Sequence, residues 1–68
     1  MPKVERVLRA LTKLGWEEVH CKGSHHKLRR GSDTQMFSYH PGVELGQTQL
    51  RIVAKDFGVS EAELKRHI

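Results

Sequence analysis

The stretch of this sequence best equipped for chemistry runs from Lys22 to Arg30. It holds four cations, two adjacent histidines and no acidic residue, and a Gly-Ser pair lies near its start. Histidine suits proton transfer because the reference pKa of its side chain, about 6.5, lies near working pH. Neighbouring lysine and arginine attract phosphate. A tight turn leading into a strand would therefore present a histidine for proton transfer beside a phosphate group.

The residues before the Gly-Ser pair predict the first strand of a hairpin. Residues 16–22 switch to period two, which is typical of a half-buried strand. We expect Cys21 to lie in the core. Gly23-Ser24 is the predicted turn, since glycine accepts the positive φ that such turns demand. The two predicted faces consist of Glu17, Val19 and Cys21 on one side and Glu18, His20 and Lys22 on the other.

The second strand is predicted from about His25 to Arg30. Side chains alternate along a strand, so His26 shares a face with Leu28, the apolar member. That face should meet the helices, and His26 is then a structural residue with a partner for its ring nitrogens. His25 lies on the opposite face, together with Lys27 and Arg29.

Helices are predicted on both sides of this hairpin. Residues 3–14 carry an apolar stripe at i, i+3, i+4 and i+7 and end at Gly15, and residues 45–57 repeat the pattern before Gly58. A third strand is predicted over 34–40, with Phe37 and Tyr39 facing inward. Ser60 and Glu63 form a capping box that begins a short third helix.

This order of elements predicts an α+β fold in a single domain spanning residues 1–68. Two helices on one face of a three-stranded antiparallel sheet bury both apolar stripes, which leaves the other face for solvent or a partner. Lysine and arginine number 12 against 8 acids, a surplus that gives weak support for a polyanionic partner. Cys21 is the single cysteine, no long apolar run exists, and no signal-peptide core follows Met1. We therefore expect a soluble cytoplasmic protein without membrane contact.

The whole pattern resembles a known family. Leu-x-x-Leu-Gly-Trp at 11–16, Lys-Gly-Ser-His-His at 22–26 and His-Pro-Gly at 40–42 are similar in order and spacing to the HicA (YcfA-like) toxins of prokaryotic toxin–antitoxin systems. The resemblance implies a double-stranded-RNA-binding-domain-like fold, ribonuclease activity on mRNA, and neutralisation by a HicB antitoxin. The first histidine after Gly-Ser is the catalytic one in that family, which corresponds to His25, and the preceding glycine corresponds to Gly23.

The remaining residues favour a mechanism without a metal or cofactor. The acids are scattered, whereas a two-metal nuclease needs convergent carboxylates. No CxxC or HxxxH pair is present, and adjacent strand histidines point to opposite faces, so no metal site is predicted. His25 would act as base or acid, and His40 is a candidate for the second role. We expect RNA to contact Lys22, Gly23, Ser24, Lys27 and Arg29.

A non-catalytic RNA-binding module is the alternative interpretation. Such a module grips A-form RNA by shape over about 16 base pairs, and its cations spread over that footprint. Here the cations cluster around one histidine, which favours an active site. His20 and His67 are interpreted as solvated residues.

Overall fold

The computed structural model describes all 68 residues, and the elements follow the predicted order. Three helices and one antiparallel sheet of three strands make up the fold, with β2 in the centre. The elements are α1 (Val4–Lys13), β1 (Glu17–Lys22), β2 (His25–Arg30), β3 (Asp33–Ser38), α2 (Gln47–Asp56) and α3 (Glu61–Arg66). None of these helices is long and apolar enough to cross a membrane.

Two tight turns of the same composition join the three strands. Lys22 pairs with His25 across Gly23-Ser24, and Arg30 pairs with Asp33 across Gly31-Ser32. The glycines have φ values of +60° and +62°, whereas neither serine has a positive φ. A positive φ at only the first of two central residues is the pattern of a type II′ turn, whose twist matches that of the flanking strands. The sequence therefore sets both hairpin registers at their turns.

The core lies between the helices and one face of the sheet. Leu28 and Phe37 are the buried strand residues, and Phe57 connects the layers through edge-to-face contacts with Trp16 and Phe37 at ring-centroid distances of 4.9 and 6.0 Å. Arg30 covers Trp16, its guanidinium carbon 4.9 Å from the ring centroid. Eleven residues form this one buried cluster: Val4, Val7, Ala10, Leu11, Trp16, Leu28, Phe37, Leu50, Ala54, Phe57 and Leu64.

The predicted facing of β1 is wrong in its first half. A bulge between Glu18 and His20 interrupts the pairing, so Glu18 lies opposite Leu28 on the inner face, and Val19 is left exposed. Cys21 does lie opposite His26, but it is exposed and does not belong to the core. The core lies against β2 and β3, which bury Leu28 and Phe37, whereas no residue of β1 is buried.

The segment between β3 and α2 differs from the prediction at its ends. β3 stops at Ser38, so His40 lies past the strand, and α2 begins at Gln47 and not at Leu45. Residues 43–45 instead pair with the start of the chain, with backbone hydrogen bonds from Val4 N–H to Val43 O and from Leu45 N–H to Pro2 O, both 2.8 Å. One half of the predicted capping box of α3 is confirmed, since the Ser60 hydroxyl accepts a hydrogen bond from Glu63 N–H at 3.0 Å, whereas the Glu63 carboxylate pairs with Arg66.

Candidate active site

The hairpin register determines which side chains surround His25. In an antiparallel pair, residues directly opposite each other project from the same face of the sheet. Lys22 of β1 and Ser38 of β3 flank His25 on the two neighbouring strands. The next pair on the same face, further from the turn, is His20 opposite Lys27. All of these positions belong to the face that the helices leave free. The structure therefore brings His25 together with the predicted cations Lys22 and Lys27, and Arg29 follows on the same face of β2.

The Gly23-Ser24 turn is fixed by the pairing of Lys22 with His25 and by a hydrogen bond from the residue after β3. Tyr39 N–H donates a hydrogen bond of 2.7 Å to Ser24 O, which ties the turn to the residue after β3. Nothing lies within 4 Å of where a Cβ of Gly23 would sit, so the positive φ and not a lack of space requires glycine there. The turn thus presents His25 from a backbone that is anchored on two strands.

An open depression of about 650 Å³ lies over this part of the sheet. His25 is exposed and lines it, and its ring makes no hydrogen bond or ion pair within the chain. Such a ring is free to bind a ligand. The lining consists of His20, Lys22, Gly23, Ser24, His25 and Met36, and no acidic residue is among them.

The cations of this face are also free. Lys22, Lys27 and Arg29 are exposed, and none of them takes part in any of the four ion pairs of the structure. None of these side chains is therefore held by a carboxylate, and the one acid opposite them in the register is Glu17, across from Arg29. A surface of this kind favours a phosphate group, because binding releases the counterions of the polyanion.

His26 has the structural role that the strand pattern predicts. Its side chain is 13% exposed, and its Nδ1–H donates to Oε1 of Glu18. Nε2 lies 3.4 Å from Sγ of Cys21, and the ring packs against Tyr39 with centroids 4.8 Å apart. Both ring nitrogens are thus engaged on the inner face, away from His25. Neither this group nor any other brings three His, Cys, Asp or Glu side chains together in an arrangement that could hold a metal ion.

His20 is the residue of this site that the sequence interpretation missed. It is solvated, as the sequence interpretation has it, and it also lines the depression beside His25, which that interpretation did not anticipate. The signal was present, because a two-residue turn that pairs Lys22 with His25 also pairs His20 with Lys27. His40, the predicted candidate for a second role, lies in the loop after β3 and is not part of this lining.

Comparison with known proteins agrees with the motif pattern. A family model for the HicA toxin of bacterial toxin–antitoxin systems matches residues 4–59, which include α1, the whole sheet and α2. The chain belongs to the HicA toxin family. No match to a curated protein or to a solved structure was found.

Family membership gives this HicA protein its general role. It is the toxin of a toxin–antitoxin system, which implies an antitoxin as its partner. The matched residues contain all three histidines of the hairpin, His20, His25 and His26, and the cations around them, whereas α3 lies outside the match.

The two adjacent histidines should differ in their effect on stability. We expect His26→Ala to lower the free energy of unfolding by about 1–2 kcal/mol, because it removes a mostly buried ring with two polar partners. His25→Ala should change it by less than about 0.5 kcal/mol, as exposed substitutions usually do. Urea denaturation of both variants measures this difference. Equal losses would contradict the assignment of the two rings to opposite faces.

Proposed function

We propose that this HicA toxin is a metal-independent endoribonuclease that cleaves mRNA, with His25 as its catalytic histidine. The observation that carries the proposal is the position of His25: exposed on the free face of the sheet, without a partner inside the chain, and between unpaired lysines. A histidine kept for structural reasons has partners, as His26 has on the other face.

The chemistry needs only proton transfer and positive charge. A base removes the proton of an RNA 2′-OH, and the 2′-oxygen attacks the adjacent phosphorus. The bond from phosphorus to the 5′-oxygen breaks, and an acid protonates that oxygen as it leaves. The products are a 2′,3′-cyclic phosphate and a 5′-hydroxyl. His25 supplies one of the two proton transfers, and the cations stabilise the charge of the phosphorane.

RNA would be held by the turn and by the cations beside it. Gly23 leaves open space above the turn, so the RNA backbone can approach closely, with Ser24 next to it. Lys22, Lys27 and Arg29 attract phosphates without reading the base sequence.

The first prediction of this proposal concerns the catalytic residue. His25→Ala should abolish growth arrest on expression in bacteria, and the purified variant should lose RNA cleavage by about 100-fold or more, a typical contribution of general acid–base catalysis. Far-UV circular dichroism provides the control that the variant folds. A folded variant that cleaves RNA at the parent rate would exclude His25 as the catalytic residue, and a parent that binds RNA without cleaving it would favour a binding module.

A second prediction tests the chemistry directly. Cleavage of a defined RNA should continue in EDTA, because the proposed steps use side chains alone. Mass spectrometry of the fragments should find 2′,3′-cyclic phosphate and 5′-hydroxyl ends. Dependence on a divalent metal, or a 5′-phosphate on the downstream fragment, is the result that would overturn this mechanism.

We propose further that the antitoxin is of the HicB type and inhibits by covering the same cations. An acidic or RNA-mimicking surface complements a face on which Lys22, Lys27 and Arg29 are exposed and unpaired. Inhibition is then steric, because RNA and antitoxin compete for one surface.

The partner proposal predicts parallel salt effects on the two ligands. Lys27→Gln should weaken binding of both RNA and antitoxin, and the salt dependence of RNA affinity should become less steep by about one unit of slope. Lys55→Gln on α2 makes the same charge change away from the sheet and is the control. Fluorescence anisotropy at several salt concentrations measures both affinities. An antitoxin that inhibits while Lys22, Lys27 and Arg29 stay accessible to a lysine- or arginine-modifying reagent would refute the steric account.

A further inference from the structure

Four neighbouring positions on the free face of the sheet carry a regular arrangement of two histidines and two lysines. β1 contributes His20 and Lys22, and β2 contributes His25 and Lys27. Lys22 lies opposite His25, and His20 lies opposite Lys27. The histidines therefore occupy one diagonal of this four-residue square and the lysines occupy the other.

The two histidines are alike in their surroundings. Both are exposed and line the same depression, and neither ring makes a side-chain hydrogen bond or an ion pair. No acidic residue lines the depression between them. Neither imidazole is therefore engaged in the free protein, and each is available to a ligand bound over the square.

The diagonal spacing suits one phosphate group. Diagonal neighbours on an antiparallel pair have Cβ atoms roughly 7–8 Å apart. In cleavage by a 2′-OH, the attacking and leaving oxygens lie on opposite sides of the phosphorus, so the base and the acid must approach from opposite sides. Each must come within about 2.6–3.2 Å of its oxygen. Two imidazoles on a diagonal can meet both conditions with the phosphate between them.

We propose that His20 and His25 form the general acid–base pair of this toxin, an inference that rests on the proposed ribonuclease function. One ring, neutral at the start, takes the proton of the 2′-OH. The other, protonated at the start, gives its proton to the departing 5′-oxygen. The first ring is then protonated and the second is neutral, and proton exchange with water returns both to their starting states. Lys22 and Lys27, on the other diagonal, flank the non-bridging oxygens of the phosphorane.

The other three histidines do not fit the second role. His26 lies on the inner face with both nitrogens engaged. His40 lies past the end of β3, outside the residues that line the depression. His67 caps the C-terminus of α3, away from the sheet.

An RNA with sulfur in place of the scissile 5′-oxygen tests the pair. A thiolate leaves without being protonated, so this substrate no longer needs an acid, while it still needs a base. We would measure single-turnover cleavage of ordinary and sulfur-substituted RNA by the parent, His20→Ala and His25→Ala. His67→Ala is the control for loss of a histidine elsewhere, and circular dichroism checks that each variant folds.

We expect both hairpin variants to lose about 100-fold or more on ordinary RNA. The sulfur substrate should restore cleavage by one of them, whose histidine is then the acid, and not by the other, whose histidine is the base. Parent-like cleavage of ordinary RNA by His20→Ala would overturn the pair while leaving His25 and the proposed function intact. Equal losses by both variants on both substrates would also overturn it. A parent that cleaves neither RNA would refute the proposed function and the pair together.

Discussion

The register of the hairpin at Gly23-Ser24 is the constraint on which the candidate site depends. Side chains alternate between the faces of a strand, so a slip of one residue would bury His25 and expose His26. The two-residue turn prevents that slip. The positive φ of Gly23 lets the chain reverse within Gly23-Ser24, so that Lys22 and His25 pair directly. The hydrogen bond from Tyr39 N–H to Ser24 O adds the third strand to the same register. Leu28 reinforces it from the other face, since it is buried only in this alignment.

The two adjacent histidines show how one strand serves both stability and function. His26 faces the helices, where Glu18, Cys21 and Tyr39 surround its ring. The bulge in β1 is essential to this arrangement, because it turns Glu18 to the inner face, within reach of His26. His25 faces the other way and has no such partners. The strand fixes the position of the His25 ring, but the ring makes no contact that stabilises the fold. Its position among unpaired cations therefore supports a role in binding and catalysis.

Much of this arrangement follows from local sequence rules. The apolar stripes predict α1 and α2, the Gly-Ser pair predicts the first hairpin, and Leu28 alone decides which histidine faces inward. The bulge in β1 was not predictable, because an extra residue leaves no mark in a strand of mixed polar residues such as Glu17 to Lys22. The bulge does not account for Cys21, which lies opposite His26 as the alternation predicts; it was wrongly assigned to the core because no residue of β1 is buried. His20 was missed for a different reason: its proximity to Lys27 and His25 follows only when the residues of β1 and β2 are paired one by one.

The central claim is that His25 acts in the chemical step and does more than hold RNA. Binding and chemistry separate in one measurement: the single-turnover cleavage rate at saturating RNA, taken together with the Kd for that RNA, for the parent and for His25→Ala. The account predicts a rate that is lower by about 100-fold or more while the Kd changes little, because proton transfer is lost but Lys22, Lys27 and Arg29 remain. A variant that cleaves at the parent rate once its RNA is saturating, with only the Kd raised, would contradict the account.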